Sequence, residues 1–236
     1  MMRSKLLSIA PGLILLSCLG CGRHPGVNRS ESAVLRPEDE LRFEVLYKQN
    51  CAGCHGVNGK NGAAMDLANP EYQSLVDDAS LTRWISKGMP QTQMPAFAIS
   101  AGGILTEKQI EVLVQGMRRQ WTENVAEAQV LRPSYAESEI GDATRGRELF
   151  QTSCASCHKS SKQEIASPDY LALVSDQALR SMIVAGRPDI GQPDWRNDRP
   201  GAPLSDRDVS DIVRYLASLR TATPGQPYPE HREGAE

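Results

Sequence analysis

The pentapeptide Cys51-Ala52-Gly53-Cys54-His55 occurs a second time, as Cys154-Ala155-Ser156-Cys157-His158. Two thiols three residues apart share one side of a helical turn. The histidine that follows both times is what constrains the chain most. A zinc site or a redox dithiol needs C-x-x-C but gives the fifth position no reason to be histidine. C-x-x-C-H is the attachment signature of c-type haem: the sulfurs add to the two vinyl groups of one porphyrin, and the histidine meets the iron as its proximal ligand. Cys51, Cys54, Cys154 and Cys157 are therefore the expected covalent anchors of two haem c groups, with His55 and His158 as axial ligands.

The 236 residues fit two small domains, but the composition is thin for two independent cores, at 40% hydrophobic and 5% aromatic. Domains this small bury a modest fraction of their surface and often need a cofactor or crosslink. Covalently held porphyrin would supply the missing apolar bulk. The formal net charge is −3 and no basic arm or patch is present, which excludes nucleic acid as a partner. Four of the six cysteines lie in the two motifs, leaving a disulfide framework little to explain.

The other two cysteines, Cys18 and Cys21, lie in a leader. Arg3 and Lys5 give a charged start, and residues 6–22 carry no charge. The apolar stretch falls short of the roughly twenty residues a membrane span requires. Leu15-Leu16-Ser17-Cys18 resembles the lipobox of bacterial lipoproteins, and Cys18-Leu19-Gly20-Cys21 is a poorer version of it. The resemblance implies a signal peptide over residues 1–20, lipidation of Cys18 or Cys21, and a lipid anchor on the periplasmic side of a bacterial membrane. An ordinary cleaved signal is the alternative, and it also exports the chain. More than one acyl chain on a single residue anchors stably, because each buried methylene adds about 0.8 kcal/mol. Residues 21–36 read as a flexible tether. Residues 223–236, rich in Pro, Gly and charge, read as a disordered tail.

The halves repeat beyond the motif. Cys51 and Cys154 are offset by 103, and the difference from the later offset lies in a longer loop after His55. Asn69-Pro70-Glu71-Tyr72 matches Ser167-Pro168-Asp169-Tyr170, and Leu75, Val76, Asp78, Leu81, Ile85 and Gly88 match Leu173, Val174, Asp176, Leu179, Ile183 and Gly186. Repetition of this length argues for duplicated modules. Pro37 predicts a helix start with Leu41, Val45 and Leu46 inward. Asp142 is the expected cap of the helix carrying Leu149 and Phe150. Thr106-x-x-Gln109 and Ser205-x-x-Asp208 are capping boxes ahead of Ile110, Leu113, Val114, Met117 and of Val209, Ile212, Val213, Leu216, each set one apolar helical face. Middle helices carry Leu81, Trp84, Ile85 and Leu179, Met182, Ile183. No segment alternates at period two for long enough to be a strand.

A leading helix ending in C-x-x-C-H, then loops, then a closing amphipathic helix resembles the class I cytochrome c family. The resemblance implies an all-α fold of two tandem cytochrome c-like domains, each wrapped around its haem. The domains would span residues 37–125 and 140–222, with a linker over 126–139. It also implies a methionine as sixth iron ligand. In Gly88-Met89-Pro90-Gln91-Thr92-Gln93-Met94-Pro95-Ala96-Phe97, Met94 followed by Pro, Ala and an aromatic resembles the family's ligand segment; Met89 is the competitor, and Met65 packs or is exposed. The second half reads Gly186-Arg187-Pro188-Asp189-Ile190-Gly191-Gln192-Pro193-Asp194-Trp195, so Met94 falls on Gln192. The second iron is then open, or bound by the Gln192 amide oxygen, or reached by Met182, which otherwise packs in the core. His24 and His231 read as solvated. Arg187, Asp189, Asp194, Arg196, Asp198 and Arg199 read as a solvated loop of mixed charge, with pairing of Arg187 or Arg196 to a haem propionate or docking partner as the sharper alternative.

The expected function is electron transfer by a dihaem c-type cytochrome, as a tethered carrier or as the cytochrome subunit of a respiratory or dehydrogenase complex, with redox proteins as partners. A haem enzyme using the second iron on a peroxide or small ligand is the alternative. It is weakened because no further histidine is left in that half for acid–base work. A gas sensor lacks an output domain.

Overall fold

A computed structural model of the chain describes residues 35–122, 132–158, 165–196 and 200–220. Cys18, Cys21, His24, His231, Asp198, Arg199, the tail 223–236 and residues 126–131 of the expected linker lie outside them. The described residues from Pro37 onward belong to one compact unit. It is all helical, with no strand among the described residues and two isolated bridges, Ala98 to Leu105 and Arg187 to Gln192. The first half holds α1 (Phe43–Asn50), α2 (Ala52–His55), α3 (Pro70–Leu75), α4 (Asp78–Lys87) and α5 (Glu107–Trp121). The second holds α6 (Ala143–Leu149), a π turn (Phe150–Cys154), α7 (Ala155–His158), α8 (Pro168–Leu171), α9 (Asp176–Ala185) and α10 (Asp206–Ser218).

Side-chain caps start seven of these helices, α3 to α6 and α8 to α10, because the first turn leaves backbone N–H groups without intrahelical partners. Asn69 accepts from Glu71, Asp77 from Ser80, Ser167 from Tyr170 and Ser175 from Ala178. Asp142 accepts from Thr144 and Arg145. Both capping boxes form in full, Thr106 with Gln109 and Ser205 with Asp208. The start at Pro37 is different. Pro37–Asp39 is a single 3₁₀ turn, and the helix begins at Phe43. Glu40 turns its carboxylate onto the backbone and side chain of Arg42, which ends the turn. Leu41 lands in the break and is exposed, while Phe43, Leu46 and Tyr47 point inward.

The first and last helices of each half cross at a glycine, from opposite sides. In the first half, Gly116 of α5 lies under the Phe43 ring of α1. In the second, Gly146 of α6 lies against the Asp211 backbone and Tyr215 of α10. Aligned on the C-x-x-C-H and capping-box offsets, Phe43 corresponds to Gly146 and Gly116 to Tyr215. The large and small partners have exchanged helices. Aromatic edges complete each crossing: Tyr47 and Trp121 centroids are 5.2 Å apart at 82°, and Phe150 and Tyr215 are 5.6 Å apart.

An arginine ties the closing helix of each half to the segment between the middle helices. Arg118 donates to the Gln73 and Val76 carbonyls and pairs with Asp78. Arg220 donates to the Leu171 and Val174 carbonyls and pairs with Asp176. The accepting residues match through the repeat; Arg220 reaches them from just past the end of α10, about one turn beyond the position matching Arg118.

Gly146→Ala would drive a methyl into the Asp211 backbone, which cannot yield as a side chain would. It is expected to lower unfolding free energy by about 1–3 kcal/mol in a denaturant titration of the mature protein. Gly53→Ala meets nothing within 4 Å and should shift stability by less than about 1 kcal/mol. Equal effects at the two sites would contradict the tight crossing.

Candidate haem-binding sites

In each half the C-x-x-C-H turn continues from the helix that enters the crossing, so the crossing sets its direction. The turn in the first half is helical: the His55 amide donates to the Cys51 carbonyl at 3.0 Å. Cys51 is half-buried and Cys54 exposed. Burial, with Cys54 beside it, pushes the Cys51 thiol up to about 12. None of Cys51, Cys54, Cys154 and Cys157 is in a disulfide.

The loop after His55 folds back over the motif. Ala64 N–H donates to the Cys54 carbonyl at 2.9 Å, and the Tyr47 hydroxyl donates to the Gly56 carbonyl at 3.0 Å. Gly56 has a φ of +80°, and a side chain there would strike the Lys60 backbone. The loop ends with the Met65 carbonyl 2.8 Å from His55 Nδ1. A carbonyl can only accept, so Nδ1 carries the proton and Nε2 keeps the lone pair a metal requires. Burial holds the His55 imidazole below its ordinary pKa, the Met65 carbonyl opposes that, and the charge of Arg187 adds to it. Met65, expected to pack or be exposed, has a half-buried side chain packed against the core. Its backbone oxygen is the functional atom, and no residue type signals that.

The segment after the middle helix has one backbone plan in both halves. Gly88 and Gly186 sit at φ +71° and +72°, each pressed on the backbone of the loop it starts, where a side chain would clash. Met89 N–H donates to the Met94 carbonyl at 3.1 Å, and Arg187 N–H to the Gln192 carbonyl at 3.0 Å. Met94 is half-buried, and its N–H is held by the Thr92 hydroxyl. The competitor Met89 has its sulfur 3.4 Å from the Ser175 hydroxyl of the other half.

In the second half, Cys154, Cys157 and His158 line a cavity of about 340 Å³, within the range of small-molecule sites. Gln192, Met182, Tyr170 and Arg187 line it too, with Ile183, Ile212 and Leu216 as apolar wall and Ala63 from the first half. The Gln192 amide nitrogen donates to the Met182 carbonyl at 2.8 Å, which leaves Oε1 as the amide's acceptor. The Met182 sulfur accepts a long contact of 3.9 Å from the Tyr170 hydroxyl. Trp195, next to the cavity-lining Asp194, keeps a buried indole N–H with no hydrogen-bond partner. The lining fits a porphyrin: two thiols and a histidine on one turn and an apolar wall. Among the described residues no group of three or more His, Cys, Asp or Glu side chains is gathered as a bare metal ion would need.

In the charged loop around this cavity, Arg196 is exposed as expected, but Arg187 and Asp189 are not solvated. The Arg187 side chain is 5% exposed and its partner Asp189 1%. Arg187 grips Asp189 through Nε at 2.9 Å and a terminal nitrogen at 2.8 Å, and donates to the Gly62 carbonyl at 2.9 Å. Asn61 N–H donates to Asp189 at 2.8 Å. The seam continues with Asn69 Nδ2 on the Ala185 and Gly186 carbonyls, Arg196 on Glu71 and Asp194, and Trp84 on the Tyr135 hydroxyl. Arg132 adds a second cation to Glu71.

A family model described as cytochrome c matches residues 143–220, and one described as cytochrome c oxidase, cbb3-type, subunit III matches residues 38–115. The chain is 28% identical over 131 residues to dihydro-heme d1 dehydrogenase of Pseudomonas aeruginosa, covering 55% of this chain and 23% of that protein. It is 24% identical to the cbb3-type cytochrome c oxidase subunit CcoP of an Azospirillum species, over 57% of this chain and 46% of that subunit. It is 23% identical to subunit FixP of Rhizobium etli, over 75% of this chain and 60% of the subunit. The chain thus spans less than two thirds of each of these relatives.

Asn69 caps α3 and bridges the halves, where its counterpart Ser167 only caps. Asn69→Ala should cost about 2–3 kcal/mol, from a lost cap and two unmet buried carbonyls. Asn69→Asp keeps the cap acceptor but turns a carboxylate onto those carbonyls, so it should unfold at lower denaturant than Asn69→Ser. The reverse order would remove the bridging role.

Proposed function

The chain belongs to the class I c-type cytochromes, and from that premise we propose that it carries electrons through two covalent haem c groups on the outer side of a bacterial membrane. Cytochrome c domains bind haem c covalently. The observation that carries the reading is the doubled C-x-x-C-H turn, each copy leading from a helix locked against a closing helix. The bound group supplies one-electron chemistry by cycling its iron between ferrous and ferric states. The protein's residues tether, orient and shield. Cys51 and Cys54 hold the first haem, and Cys154 and Cys157 the second. His55, oriented by the Met65 carbonyl, and His158 would hold the irons. Met94 would bind the first iron as well. Its competitor Met89 turns its sulfur to Ser175, which supports the choice.

The halves act as haem domains over residues 37–125 and 140–222. Cys18 or Cys21 carries the lipid that holds them at the membrane. Among the described residues no helix is long and apolar enough to cross it. The partners are redox proteins, and the names of two relatives favour a place as a subunit of a respiratory oxidase.

One observation favours a second use of the second site. Gln192 stands where Met94 stands in the first half, and its amide is already turned to the Met182 carbonyl. A weak amide-oxygen ligand leaves the second iron open to small molecules and at a lower potential than a thioether would give.

Protein matured in a competent host should show two haem additions by mass spectrometry after denaturation, and one in the Cys51→Ser/Cys54→Ser double variant. A mass equal to bare polypeptide would end the proposal. Carbon monoxide should bind one haem per chain, and Gln192→Met should abolish that binding in the reduced spectrum. Binding at neither haem in the wild type would remove the open-site reading while leaving the carrier.

A further inference from the structure

The Arg187–Asp189 pair lies where the walls of the two sites meet. On one side Arg187 lines the second cavity beside Tyr170 and Gln192. On the other it holds the Gly62 carbonyl, and Asp189 holds the Asn61 amide. Gly62 is packed directly on the backbone of Cys54, His55 and Gly56, so closely that it has no room for a side chain. One residue therefore separates the pair from the turn that carries the first histidine, while Ala63, the next residue, reaches the second cavity.

Both side chains are almost wholly buried. Away from water, a charge acts over longer distance and is little screened by salt. Asp66, buried in the same region, has its carboxyl held above its usual range by burial and by the charge of Asp189, with Arg187 opposing. Arg187 reaches both halves directly, through the Gly62 carbonyl of the first and as part of the cavity wall of the second.

We propose that the Arg187–Asp189 pair is one electrostatic element shared by both haem sites, so that a charge change at either residue moves the potentials of both haems in the same direction. This rests on the two sites holding haem. Intact, the pair is neutral. Removing the guanidinium leaves the Asp189 carboxylate uncompensated where the walls of the two sites meet; negative charge stabilises the ferric state and lowers a potential. Neutralising Asp189 leaves Arg187 unpaired and raises it. A merely mechanical loss of the seam has no reason to give opposite signs.

The test uses the full dihaem protein. Haem additions are counted first by mass spectrometry, and the potentials are then resolved by NMR of the paramagnetically shifted haem methyl signals during a redox titration. Arg187→Leu should shift both potentials down. Asp189→Asn, nearly isosteric and so the safer variant for folding, should shift both up. Arg187→Lys keeps the charge and should leave both close to the wild type. Hydrogen exchange at the Asn61 amide should speed up in Arg187→Leu and Asp189→Asn, reporting the broken contact independently of the haems. A shift confined to one haem, shifts of the same sign in the leucine and asparagine variants, or no shift would overturn the proposal. A wild-type protein with fewer than two haem additions would instead overturn the dihaem reading on which it stands.

Discussion

Two helices pack most closely where one of them gives up its side chain. Each half of this chain does so at the crossing of its first and last helices, against a ring in the first and against backbone in the second. The halves do it from opposite sides, with Gly116 under Phe43 and Gly146 against Tyr215. The crossing depends on one small and one large partner, not on which helix supplies which. Because the C-x-x-C-H turn leads on from the first helix, the crossing also decides where the cysteines and histidine point. The caps hold the helices in length, and the Arg118 and Arg220 clasps hold the closing helix on the middle segment. In a chain with few aromatics, three of the first half's rings are gathered at this one place.

The halves are joined by a seam rich in polar contacts. A buried ion pair recovers its desolvation cost only when its remaining donors and acceptors are met. Arg187 and Asp189 meet theirs through the Gly62 carbonyl and the Asn61 amide, both on the loop that orients His55. Asn69 and the Glu71 cluster fix the neighbouring part of the seam. Such contacts are satisfied in one register only, so the same bonds that close the loop over the first histidine also fix the wall of the second cavity.

Much of this was legible in the sequence. The doubled motif, the capping boxes, the Asp142 cap and the apolar faces of α5 and α10 depend on residue types at fixed spacing, and fixed spacing survives folding. The start at Pro37 misled because Glu40 can reach the Arg42 backbone, a local contact that competes with helix and leaves Leu41 outside. The Met65 carbonyl could not have been found, since any residue offers the same oxygen. The clasp from Arg220 was hidden by its shift of about a turn from the repeat alignment. Arg187 read as surface charge because its burial comes from the other half of the chain, about 125 residues away along it.

The positions where the halves differ are not scattered. Val112 of α5 corresponds to Asp211 of α10, which is fully buried and satisfied by the Asp142 amide, Arg145 and Arg207. Thr82 corresponds to Arg180, buried and bonded to Ser134, Asp206 and Ser210, which fastens the described end of the connection to α9 and α10. Met89 corresponds to Arg187 and Met94 to Gln192. Tyr72 is buried in the core, whereas Tyr170 opens onto the cavity. Arg187, Gln192 and Tyr170 line the second cavity and Arg187 also reaches the first half, whereas Asp211 and Arg180 tie α6, α9 and the connection to α10. The shared features shape a helical cradle; the differing ones set the seam and the chemistry around the second histidine. The second half is therefore the one in which ligand strength and local charge are free to depart from the first, while the cradle that positions its cysteines stays the same.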